Sequence, residues 1–85
     1  MKLKSNPHRV WQLFQIRSFV NNAKDSVGGV IGWNYLSYSM QDALISTEVL
    51  RIVLANDHDS LPIQSIRCLY QDMREVAGLN ETQEA

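Results

Sequence analysis

Apolar residues recur along the chain at helical spacing. Between Pro7 and Ala23 they fall at Val10, Trp11, Leu13, Phe14, Ile16, Phe19 and Val20. At 100° per residue this set spreads well beyond the ~100°-wide stripe of a helix with one buried face. Asn6 is a good cap and Pro7 sacrifices no hydrogen bond in a first turn, so a first helix is predicted over about residues 7–23. Asn21-Asn22-Ala23-Lys24-Asp25-Ser26 then supplies the side chains that compete with a helix for backbone hydrogen bonds, and predicts a turn.

Val27-Gly28-Gly29-Val30-Ile31-Gly32-Trp33-Asn34 permits two readings: an apolar glycine loop, or the opening turns of a long second helix starting near Ser26. Each glycine in a helix interior costs about 1 kcal/mol relative to alanine, so the helical reading requires close packing along the Gly28/Gly32 edge to offset it. From Tyr35 to Ala55 the helix is better supported, ending at Asn56-Asp57-His58-Asp59-Ser60. Leu36, Met40, Ala43, Leu44, Val49, Leu50, Ile52, Val53 and Leu54 leave only a narrow polar strip through Ser39, Asp42 and Ser46.

The third helix is predicted over 61–77, capped by Asp59 or Ser60, with Pro62 in its first turn and Gly78 as its left-handed stop. Ile63, Ile66, Tyr70, Met73 and Ala77 repeat at 3-4-3-4 spacing, widened by Leu69 and Val76, which predicts the packed face. Gln64, Arg67, Gln71, Arg74 and Glu75 form the wet side, and Cys68 falls opposite the stripe. The pattern predicts an all-α fold: one domain of three helices over 1–79, helices two and three forming an antiparallel hairpin through the Asn56–Ser60 turn, and a polar, acidic tail at 80–85 that frays.

Length sharpens this picture. A chain of 85 residues buries only about 60% of the surface its unfolded form exposes. Helices one and two carry more apolar surface than a lone three-helix bundle can cover. Burying a large apolar side chain contributes ~1.5–3 kcal/mol, so a homo-oligomer or another protein is expected to cover Trp11, Phe14, Phe19, Ile31, Trp33 and Tyr38. The function this predicts is a non-enzymatic interaction module: a small regulator, inhibitor or adaptor.

Charge offers a second reading. Lys2, Lys4, Arg9, Arg17 and Lys24 precede the first acid, Asp25, while the rest of the chain carries three arginines against nine acids, for a net charge of −1. These five cations, interleaved with aromatics, are candidate phosphate contacts, and the alternative is a small dimeric nucleic-acid-binding transcriptional regulator. They span 23 residues, and the segment from Ser18 to Gln41 lacks a polar recognition helix.

No cofactor, metal or catalytic site is predicted. Gly28-Gly29-Val30-Ile31-Gly32 has no Lys-Ser or Lys-Thr after it, as a phosphate loop would. Asp57-His58-Asp59 reads as a capped loop before Ser60, and His8 has no nearby acid to orient it. Cys68 is the single cysteine, so an internal disulfide is impossible and reducing, cytoplasmic surroundings suit the chain. The first residues lack a signal-peptide apolar region. The most apolar window, Val27 to Leu54, carries too many polar residues for a membrane span.

Overall fold

Glycines, caps and one long-range ion pair divide the chain into four helices where the apolar pattern predicts three. A computed structural model describes residues 3–56 and 61–79. In it the helices are α1 (Leu13–Asp25), α2 (Gly29–Asn34), α3 (Tyr38–Ala55) and α4 (Ile63–Val76), and no strand occurs among the described residues. The all-α class holds. The helix count and several boundaries differ.

The first helix starts six residues later than predicted. Asn6 does organise a turn, its Oδ1 accepting from the His8 N–H at 2.8 Å and its carbonyl from the Arg9 N–H at 3.1 Å. That turn does not propagate, because Arg9 is drawn across to α4. The helix begins instead where the Gln15 Oε1 accepts the Gln12 N–H at 2.8 Å, satisfying one of the orphan donors of a helix start. Residues 3–12 form an irregular strap, with Leu3 and Trp11 packed against the core.

The glycine segment is neither a loop throughout nor the start of a long helix. Gly28 (φ 95°) and Gly29 (φ 82°) adopt the left-handed conformation in succession, which breaks the chain between α1 and α2. Gly32 answers a different need. A Cβ there would lie 1.8 Å from the Val27 carbonyl oxygen, so only glycine lets α2 fold back on the turn before it. A second break follows, and the Ser37 Oγ caps α3 by accepting the Met40 N–H at 3.3 Å. The Gln41 side chain donates to the Trp33 carbonyl at 2.8 Å, tying the end of α2 to α3.

The ends of α3 and α4 fall close to their predicted positions. Gly78 (φ 82°) stops α4: the Leu79 N–H donates to Arg74 O and the Gly78 N–H to Glu75 O, a paired closure that leaves Leu79 buried against the bundle. The predicted caps Asp59 and Ser60, the Asn56–Ser60 turn beyond Asn56, and the 80–85 tail lie outside the described residues.

α1 is the central element, packing against α2, α3 and α4, while α3 also packs against α4. The core joins Ile16, Val20 and Ala23 of α1, Trp33 of α2, Ile45, Val49, Ile52 and Val53 of α3, Leu69 and Met73 of α4, and Leu79. One face is broader than expected. α4 buries Leu69 and Met73 of the predicted face and packs Ile66, Tyr70, Val76 and Ala77 partly buried against the core, but the buried side extends further round the helix to Ser65, Cys68 and Asp72. Ile63 is 63% exposed, and Cys68 is on the buried side.

Gly32→Ala is expected to destabilise the fold by about 1–3 kcal/mol, the cost of forcing an extra carbon into packed backbone. For a domain of this size each kcal/mol lowers Tm by roughly 4–8 °C, which thermal unfolding followed by circular dichroism measures directly.

Candidate interaction surface

Two polar groups fix how the elements face one another, and a third is held within α3. In the first, Arg9 of the strap pairs with Asp72 of α4, Nε to Oδ2 at 2.7 Å and Nη2 to Oδ1 at 3.2 Å. Their side chains are only 18% and 9% exposed. This two-pronged geometry supplies the compensation that a buried carboxylate needs. Hydrogen bonding to Asp72 raises the Arg9 pKa above its already high ordinary value.

Cys68 lies beneath the same pair, its Sγ 3.4 Å from Asp72 Oδ2. Burial, followed by the hydrogen bond to Asp72, pushes the thiol up to about 11. The thiolate is the reactive form, so Cys68 is held in its unreactive state at neutral pH. His8, Asn6, Gln64, Arg67 and Gln71 complete the rim of a small polar cavity over it, about 190 Å³ in volume.

The second group ties α4 to the start of α3. The Tyr70 hydroxyl donates to Asp42 Oδ1 at 2.6 Å, and Arg74 donates to both Tyr70 and Tyr38. The Arg74 guanidinium also lies over both rings, 5.7 Å from the Tyr38 centroid and 5.4 Å from that of Tyr70. Burial and the bond to Asp42 raise the Tyr70 pKa. The third group is Glu48, buried on α3 and held by the exposed Arg51 one turn on, at 2.6 and 2.7 Å.

The residues singled out as interface candidates separate into distinct environments. Trp33 is buried in the chain's own core, and the Lys24 ammonium lies 5.9 Å from its ring centroid. Trp11 and Phe19 meet edge to face, with centroids 6.2 Å apart, and are partly buried. Tyr38 sits with Arg74. Phe14 of α1 and Ile31 of α2 stand out into solvent, as do Val10 of the strap, Val30 of α2 and Tyr35 at its end.

A second exposed apolar set lies outside the six residues singled out as interface candidates. Met40, Leu50 and Leu54 of α3 are 51%, 62% and 69% exposed, and Ile63 of α4 is 63% exposed. Beside Leu50 runs a groove of about 340 Å³ between α3 and α4, lined by Ser46, Val49, Leu50, Ile66, Arg67 and Tyr70. The 3-4 spacing of Met40, Ala43, Thr47, Leu50 and Leu54 was a legible signal for this surface, hidden because α3 is apolar on its opposite face as well.

The candidate phosphate contacts differ in their surroundings. Arg9 is engaged by Asp72 and Lys24 by Trp33, Lys4 and Arg17 are exposed, and Lys2 lies outside the described residues. No group of three potential metal-ligand side chains gathers among the described residues, and Asp57-His58-Asp59 lies outside them. None of the described helices is long and apolar enough to cross a membrane. Compared with protein-family models, curated proteins and solved structures, the chain matches none.

Removing Arg9 leaves Asp72 buried without its charged partner. Arg9→Ala is therefore expected to cost about 1–3 kcal/mol, against a negligible effect for the exposed Lys4→Ala, as read from urea unfolding midpoints.

The raised Cys68 pKa also sets a pH dependence. The unfolded thiol ionises near its ordinary 9.0 while the folded one holds its proton to about 11, so across that window the folded state binds more protons. Stability is thus fully present below pH 9 and falls as pH rises towards 11. Tyr70 contributes with the same sign. Urea midpoints measured from pH 8 to 11 should show a shallower decline for Cys68→Ser than for the native chain.

Proposed function

We propose that this chain is a non-enzymatic protein–protein interaction module, a small regulator, inhibitor or adaptor. It works as a homo-oligomeric helical bundle in the reducing cytoplasm, with α3 and α4 as its antiparallel hairpin. The observation that carries the reading is the distribution of large apolar side chains. Phe14, Val30, Ile31 and Tyr35 along α1 and α2, and Met40, Leu50, Leu54 and Ile63 along α3 and α4, stay half exposed or more in a folded chain that has already buried a core. Solvent-facing groups of this kind on a small domain are characteristic of surfaces that other proteins cover.

The nucleic-acid alternative has less support. Arg9 and Lys24 already serve contacts within the chain, which removes two of the five proposed phosphate ligands. The protein is expected to leave a heparin column below physiological ionic strength. Retention that persists above it would favour the nucleic-acid reading.

The test of the main reading combines light scattering after size exclusion with capture of host proteins on the folded chain. Self-association or a retained protein is expected, weakened by Glu substitution at one of the exposed apolar positions while helical content is preserved. A folded monomer that retains no protein overturns the reading.

A further inference from the structure

We infer that the outer face of α3, together with the groove beside α4, is the docking surface for a second copy of this chain, set antiparallel across a two-fold axis. The inference rests on the interaction-module reading and assigns it a surface and a partner. At 100° per residue, Met40, Ala43, Thr47, Leu50 and Leu54 fall within an ~80° stripe. All five are exposed. The stripe lies diametrically opposite the buried face of α3, formed by Ile45, Glu48, Val49, Ile52 and Val53.

Its 3-4-3-4 spacing is that of a helix–helix seam. The stripe is also uncharged. Of the ionisable residues in α3, Asp42 is engaged by Tyr70 and Arg74, and Glu48 and Arg51 are engaged with each other. Depletion of charge marks the centre of protein interfaces.

Shape selects a second copy as the occupant. In an antiparallel pairing, Leu50 faces the second copy's Thr47, and Leu54 faces its Ala43. The two-fold repeats both layers, so each of the two leucines meets a small side chain, which is the self-complementarity an isologous interface requires.

Area excludes a lone peptide helix. The α3 face, 18 residues long, spans ~27 Å by ~10 Å, or about 270 Å² in projection. A stable dimer needs about 800 Å² of accessible surface from each partner. The stripe alone is too small. A two-fold lying in the interface plane also brings α4 onto α4, adding Ile66 and Tyr70 of the groove and the exposed Ile63, and takes the projected face to about 540 Å² before the corrugation of packed side chains is counted. A lone peptide helix would cover only the α3 stripe.

Light scattering of the full-length chain tests this. The native protein is expected at twice 9.7 kDa. Leu50→Glu, or Leu54→Glu should the first variant fail to fold, is expected to weaken dimerisation by at least about 30-fold, the effect of losing a central anchor. Circular dichroism should remain helical. Ile31→Glu, in α2, should leave the dimer intact.

In a Cys68→Ser background, Thr47→Cys should be joined between copies by a short bismaleimide, and Phe14→Cys should not. A native chain that is monomeric, a dimer indifferent to both glutamates, or crosslinking at residue 14 but not 47 overturns the proposal. If a monomer nonetheless retains a host protein, or if Ile31→Glu dissolves the dimer, this surface is wrong while the interaction reading stands. Absence of any association overturns both.

Discussion

The ion pair between Arg9 and Asp72 sets the orientation on which the rest of the structure depends. It joins residues 63 positions apart and holds the strap against α4. An aspartate in a helix would ordinarily face water, since burying an unpaired carboxylate is prohibitively expensive. With Arg9 supplied from the strap, Asp72 turns inward, bringing Ser65 and Cys68 with it because they share its face. Ile63 is thereby left exposed, and Ile66 and Tyr70 are only partly buried where they line the groove beside α3. One charge-assisted contact thus accounts for the late start of α1, the burial and unreactive state of the thiol, and the apolar groove on the far side of the same helix.

α3 carries the complementary half of that outcome. It has two apolar stripes on opposite sides, and a helix in a chain this short can bury only one of them against its own neighbours. α1 and α4 claim the side of Ile45, Val49 and Ile52. The other side, with small residues in the middle and leucines towards the end, keeps its shape without being covered. Had the second stripe been charged, α3 would read as an ordinary amphipathic helix and the surface would be inert.

What the amino-acid order made legible follows from the range of the forces involved. The stop at Gly78 was readable because a left-handed residue closing a helix is a local event involving Arg74 to Leu79 alone. The end of α3 near Ala55 was readable for the same reason. Pro7 and Asn6 also formed the turn their chemistry favours, but whether it would become a helix was decided by Asp72, far along the chain. Ser37, the cap that separates α2 from α3, was masked by the continuous apolar pattern on both sides of it. Of the candidate site, Phe14 and Ile31 were found at the surface, while Trp33 went to the core. The stripe at Leu50 and Leu54 was present in the spacing, but periodicity alone could not say which of two apolar faces the chain would cover itself.

The polar groups between α3 and α4 then fix what apolar packing would leave loose. Leucine and isoleucine side chains tolerate sliding of one helix along another, because their contacts are non-directional. Tyr70 bound to Asp42, with Arg74 stacked over Tyr70 and Tyr38, sets the register of α4 along α3 through directional bonds in a partly buried setting, where such networks are strongest. The groove between the two helices is therefore shaped before anything enters it. A surface held in its binding geometry by its own chain loses less conformational freedom on association than one that must first be assembled. The exposed apolar edge of these two helices is thus held in one geometry, which is what the proposed dimer would require of it.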